Sequence, residues 1–263
     1  MKNNEEKSMG LLEGKTAVIY GIANHRSIAW GIAQAMQREG ARLAVTYQGE
    51  RVERYVRDLA ASLHDPLVVP CDVTDEAQLA EVYRQIGERF GRLDAVIHSI
   101  AFAAREDLEG RFVDTSRQGF LTALEVSAYS LVSVTRGALP LMADGGSIIT
   151  MTFAGSQRAY PSYNVMGVAK AALEAEVRYL ASDLGPNGIR VNAISAGPVS
   201  TLSARGISGF SGMLKVAADR APLRRTTDPA ELGDTAVFLC SDLGRGITGE
   251  TVYVDCGLNS IGL

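Results

Sequence analysis

Short, unbroken apolar runs rich in β-branched residues alternate with longer stretches whose apolar residues recur at helical spacing, along nearly the whole chain. Few architectures accept that pattern. Unbroken apolar runs suit strands buried on both faces, as in parallel sheets. Parallel strands need crossover connections, which are helical here and right-handed by rule. Strands are expected at residues 15–21, 42–47, 67–69, 93–98, 146–152, 190–194 and 251–254. Between them, helices are expected at 27–40, 50–63, about 74–90, 116–142, the stretch through 163–170, and 229–240. No linker, repeat or low-complexity tract divides the pattern. The expectation is α/β: a single Rossmann-type, doubly wound parallel sheet of about seven strands with helices on both faces. It would occupy residues 11–263, behind a polar, disordered leader at residues 1–10.

Composition narrows the function. A net charge of −4 argues against a nucleic acid or an anionic membrane as partner. No apolar run reaches the roughly eighteen residues of a membrane span. Cys71, Cys240 and Cys256 are far apart and form no CxxC or Cys/His pattern, so they read as reduced thiols in a cytoplasmic protein. No histidine pair has metal-ligand spacing, and no metal site is expected.

The first strand ends in Gly21, and a helix begins near Ser27 and Ile28. Glycine there lets the backbone approach a pyrophosphate while the helix N-terminus faces the charge. The spacing is not GxGxxG, so a tight turn without a ligand is the competing reading. The second strand ends at Gln48, uncharged where an acidic residue or an arginine would select between dinucleotides. This favours NAD, with Arg51 leaving NADP open. Asp72 either accepts a hydrogen bond from an adenine amino group or caps a helix starting near Thr74. His98 reads as a packed strand-end residue rather than a base. Gly197-Pro198 forces a turn, after which Thr201 is placed to bond a nicotinamide carboxamide. Residues 198–225, with an apolar Ser208-Gly-Phe-Ser-Gly-Met stretch and Leu214, read as a substrate flap.

Tyr163 and Lys170 lie seven residues apart, about two turns of a helix and hence one face. An ammonium beside a phenol favours phenolate character and polarisation of a substrate oxygen. A helix-start aromatic and a solvated lysine would give the same spacing.

Taken together, these residues resemble a known family. Gly21-Ile-Ala-Asn with Ser27-Ile-Ala-Trp-Gly-Ile-Ala33, Cys71-Asp-Val, His98-Ser-Ile-Ala-Phe-Ala, Tyr163-Asn-Val-Met-Gly-Val-Ala-Lys170, Arg190-Val-Asn-Ala-Ile-Ser-Ala-Gly-Pro198 and Phe238-Leu-Cys-Ser-Asp carry the resemblance. They are similar to the NAD(P)-dependent enoyl-[acyl-carrier-protein] reductases of bacterial fatty-acid synthesis, within the short-chain dehydrogenase/reductase superfamily. The Tyr-x6-Lys spacing marks this branch against the commoner Tyr-x3-Lys, for which Gly167 stands at the lysine position. The resemblance implies that Gly21, Ser27, Ile28, Gln48, Asp72, Val73, Ile100 and Lys170 hold the dinucleotide, with Val199, Ser200, Thr201, Leu202 and Ser203 on its nicotinamide and phosphate side. It implies Ala103 and Tyr163 at the acyl thioester, Tyr163 and Lys170 as catalytic residues, NADH in preference to NADPH, an acyl-carrier-protein thioester as substrate, and a homotetramer. Two positions depart from the family: Phe153 replaces a second tyrosine, and Cys256 stands in Asp255-Cys256-Gly257 where a glycine is common. Other readings remain: a short-chain reductase acting on enoyl-CoA or carbonyl substrates, or a non-catalytic NAD(H)-binding homologue.

Overall fold

The computed structural model of the chain describes residues 9–201 and 210–262. Seven strands form one parallel sheet: β1 (Thr16–Tyr20), β2 (Arg42–Tyr47), β3 (Leu67–Pro70), β4 (Ala95–His98), β5 (Gly146–Thr152), β6 (Ile189–Ala196) and β7 (Thr251–Val254). Their order is β3-β2-β1-β4-β5-β6-β7. Helices α1 (Ile28–Arg38), α2 (Glu50–Ala60), α3 (Glu76–Phe90), α4 (Arg105–Leu108), α5 (Arg117–Leu124), α6 (Ser130–Ala138), α7 (Asn164–Leu184), α8 (Phe210–Arg220) and α9 (Pro229–Cys240) are the connections among the described residues.

Strand alternation divides the core in two. Along β1, Ala17 and Ile19 face a cluster with Ile32 and Met36 of α1, Val56 of α2 and Leu232 of α9. Val18 and Tyr20 face the opposite cluster, with Val82 and Ile86 of α3, Leu131 of α6 and Leu173 of α7. Both faces of the sheet are therefore covered, as its unbroken apolar strands demand. Burying each such isoleucine or leucine contributes about 2 kcal/mol.

Two expectations, the helix at 116–142 and the helix start near Thr74, need correction. The helix expected at 116–142 is not continuous: α5 passes into a π-helical turn at Glu125–Tyr129 before α6 resumes. Its apolar period persists through the interruption, so the sequence conceals it. Within the expected flap, α8 is a regular helix with Leu214 on it, and only residues 202–209 lie outside the described ones. Of the expected leader, residues 1–8 also lie outside, while Leu12 is buried in the core. Finally, α3 begins at Glu76 and is capped by Asp75, which accepts from the N–H groups of Ala77 and Gln78 at 2.9 and 3.1 Å. Asp72 is not its cap.

Candidate active site

The sheet order reverses direction between β1 and β4, and in sheets of this kind the ligand crevice lies at that switch point, beyond the carboxyl ends of the strands. Gly21 leaves β1 with φ +99°, and a Cβ on it would lie 2.0 Å from the carbonyl oxygen of Ser99. Only glycine fits. Its necessity comes first from this contact between the ends of β1 and β4. Ser27 stands at the start of α1, but its hydroxyl does not cap the helix. It accepts from the N–H groups of Ala23 and Asn24 at 3.0 and 3.1 Å and so shapes the turn beside Gly21. Ile28 and Ile100 are partly buried against opposite core clusters.

At the ends of β2 and β3, two expected cofactor residues meet. Gln48 donates from Nε2 to Asp72 Oδ2 at 2.9 Å. Asp72 Oδ1 accepts from the N–H and hydroxyl of Thr74 at 3.0 and 2.7 Å. Burial acts to raise the Asp72 carboxyl, but these three hydrogen bonds outweigh it and hold the group below its usual range. Val73 is buried next to it.

On the far side of the crevice β4 ends in His98, fully buried. Its ring nitrogens contact the hydroxyls of Thr150 at 2.9 Å and Ser130 at 2.8 Å. Desolvation and the nearby Lys170 charge lower its pKa to about 3, so it is neutral and packed. Beyond it, the hydroxyl of Ser127 on the π turn both accepts from the N–H of Phe102 at 2.9 Å and donates to its carbonyl at 3.0 Å. This fixes the loop that carries Ala103. Val199 is buried after β6, and the N–H of Thr201 donates to its carbonyl at 2.7 Å. Leu202 and Ser203 lie outside the described residues.

Tyr163 sits at the cap of α7 rather than within it, with φ −121° and ψ −21°. Ser162 and Asn164 on either side have φ of 58° and 23°, the left-handed region that asparagine tolerates better than most residues. The Asn164 side chain fastens this turn by donating to the carbonyls of Glu109 and Gly110 at 3.1 and 3.2 Å. Gly155 leaves room for the ring, since a Cβ on it would come within 2.6 Å, and Gly167 leaves room for the Gly155 carbonyl, which a Cβ there would approach to 2.7 Å. Phe153 meets the ring edge-on at 5.1 Å between centroids, and Tyr160 packs on Phe153 at 4.9 Å. Burial pushes the Tyr163 phenol well above its usual pKa. Burial thus favours the protonated O–H form of the group.

Lys170, 5% exposed, lies two turns into α7 and donates from Nζ to the carbonyl of Met151 at 2.8 Å. Desolvation lowers its pKa to about 8, opposed by Glu174. That carbonyl is its one hydrogen-bond acceptor among the described residues, so an ammonium with three donors has capacity for a ligand. Together with the Gln48–Asp72 pair and the small-residue turn at Gly21, this donor set fits a dinucleotide. Sequence reasoning missed Ser127, Asn164 and Gly155. No local pattern marks them, because each acts on a segment distant in sequence or on a neighbouring ring.

The family model for the enoyl-(acyl carrier protein) reductases matches residues 21–259. The Bacillus cereus enoyl-[acyl-carrier-protein] reductase [NADH] FabI is 56% identical over 97% of this chain and 100% of its own length. The Bacillus subtilis protein of the same name is 53% identical over 94% and 97%. A crystal structure of the Bacillus cereus reductase with NADP+ and indole naphthyridinone superposes with a TM-score of 0.95, at 56% identity, covering 97% of this chain and 100% of that one. Sequence, sheet order and the Tyr-x6-Lys site agree: the chain belongs to the enoyl-[acyl-carrier-protein] reductase family of the short-chain dehydrogenase/reductase superfamily.

Proposed function

We propose that Tyr163 and Lys170 carry the NADH-dependent reduction of the trans-2 double bond of an enoyl thioester borne by acyl carrier protein, as a step of fatty-acid elongation. The observation that supports these roles is the placement of Tyr163 at the cap of α7 and of the buried Lys170 ammonium two turns further along the same helix face. Reduced nicotinamide, when bound, supplies the hydride for the β-carbon of the substrate. Negative charge then develops on the thioester oxygen, Tyr163 donates a hydrogen bond to that oxygen, and a proton from solvent at the α-carbon completes the reduction. Lys170 holds the ribose hydroxyls with its two remaining donors and adds positive potential where the charge builds. Gly21, Ser27 and Ile28 form the turn for the pyrophosphate, Gln48 and Asp72 with Val73 take the adenosine end, and Ile100 lies along the ribose. Val199, Ser200 and Thr201 face the nicotinamide side, while Ala103 flanks the acyl group on the loop that Ser127 holds. Phe153 contributes no hydroxyl, so Tyr163 is the tyrosine assigned to the oxyanion.

Tyr163→Phe removes that donor and keeps the ring. Turnover should fall on the order of a hundred- to a thousand-fold while NADH affinity, read by fluorescence, stays unchanged. Near-normal turnover of enoyl thioesters by this variant would sink the assignment.

The proposed assembly is a homotetramer, supported by an apolar face. Phe120 and Leu121 of α5, Tyr129 of the π turn and Tyr179 of α7 are exposed there. Of these, Leu121 and Tyr129 line a hollow of about 390 Å³ together with Leu124, Glu125, Ala128 and Glu176. Among the described residues no helix is long and apolar enough to cross a membrane. The cytoplasm is the proposed compartment, in keeping with the free thiols of Cys71, Cys240 and Cys256. Recovery of the protein in a secreted fraction would count against it.

A further inference from the structure

One turn beyond Lys170 on α7, a second buried charged group has no part in the reaction described above. Glu174 is 8% exposed, and its Oε1 accepts the hydroxyl hydrogen of Thr152, itself 3% exposed, at 2.7 Å. The residue before Thr152 is Met151, whose carbonyl accepts from Lys170 Nζ at 2.8 Å. Two consecutive residues at the end of β5 thus hold both charged groups, one through a side chain and one through the backbone. Among the described residues Glu174 makes no ion pair with Lys170, so it does not occupy the ammonium's donors. Its influence is through space, in surroundings where charges are weakly screened.

We propose that Glu174, fixed by Thr152, is a positioning residue that keeps the Lys170 ammonium charged and aimed at the cofactor ribose. A buried ammonium with one carbonyl partner is costly, and a carboxylate that paired with it directly would compete with the ribose. A carboxylate held one turn away supports the charge and leaves the donors free. The other groups facing Lys170 offer no such support. His98, from β4, is neutral, and Tyr163, at the cap of α7, is a neutral phenol. Desolvation pulls Lys170 down, and Glu174 is the charge that acts against it. If Glu174 served only to tie α7 to β5, an uncharged hydrogen-bond acceptor in its place would do as well.

The inference rests on Lys170 as a ribose ligand, and the test separates the two. NADH affinity is measured against pH for the wild type, Glu174→Gln and Lys170→Met. Glutamine keeps an acceptor for Thr152 and removes the charge. Its alkaline loss of affinity should begin about one pH unit lower than in the wild type, with affinity within about threefold on the acid side, where Lys170 is charged in both. Thr152→Val, which keeps the carboxylate but frees it, should move the limb in the same direction by less. An unmoved limb in whichever of the two variants folds overturns the proposal. Unchanged NADH affinity in Lys170→Met would instead overturn the ribose role on which it rests.

Discussion

Lys170 carries its ammonium inside the protein, where loss of water pulls its pKa from 10.5 to about 8 against the field of Glu174. In the unfolded chain the same group keeps its proton to about 10.5. Between those values the unfolded state binds more protons than the folded one, so this group makes stability rise with pH across the window. The full shift corresponds to about 3 kcal/mol. NADH binding should fall over the same range, because the neutral amine is a poorer ligand for the ribose. Denaturant unfolding of the unliganded protein on either side of this window tests the sign. The wild type should gain stability relative to Lys170→Met as pH rises, and parallel behaviour of the two would refute the linkage. His98 acts at the acid end. Held neutral in the fold, with a pKa of about 3, it supplies stability that is present above about 6.5 and lost as pH falls towards 3. The residue identities were legible in the sequence; their protonation states were not, since burial sets them.

Among the elements, the π turn between α5 and α6 departs most from what the sequence implies. An apolar period of helical length runs through 116–142, and inserting one extra residue into the hydrogen-bond ladder leaves that period almost intact. Such turns are often found at functional sites. Here the turn presents Ser127, fully buried, to both backbone polar groups of Phe102. Ser127→Ala would leave those groups without their partner, at about 1–2 kcal/mol, and loosen the loop carrying Ala103. KM for the enoyl thioester should rise several-fold while NADH affinity changes less, since Ile100 is the one proposed dinucleotide residue on that loop. A KM equal to that of the wild type would show that the turn is packing alone. The helix α9 offers the contrast. Its Asp228, Pro229 and Glu231 form a complete capping box with proline in the first turn, and the observed bounds match the sequence expectation. Local signals placed this helix; no local signal marks the π turn.

At the scale of the whole molecule, exposed aromatic and leucine side chains on α5, the π turn and α7 leave an apolar face uncovered in the single chain. Glu176 on that face has one buried carboxyl oxygen without a hydrogen-bond partner among the described residues, and burial pushes its pKa up to about 7. Association of copies through this face would cover it. For the proposed homotetramer, sedimentation equilibrium should report a mass of four chains, and Leu121→Asp, which places charge in the hollow, should yield smaller species. A monomeric wild type at micromolar concentration would remove the homotetramer from the account.

By itself the sequence determined the alternation of strands and helices, the parallel sheet, the family, and which residues stand at the strand ends. The family follows from the resemblance of motifs along the whole chain; the others follow from local apolar periodicity, from glycine and capping signals, or from spacing within one element. Only the tertiary structure decided what those residues are chemically. Tyr163 and Lys170 are seven apart in any conformation, but burial of the phenol, with its ring packed against Phe153 and Gly155, raises its pKa and favours the protonated form. Lys170 keeps free donors because β5 gives it one carbonyl, and its charge is supported because Thr152 holds Glu174 in place. The partners come from segments that meet only when the sheet is formed, and electrostatics in a low-dielectric interior depends on that meeting.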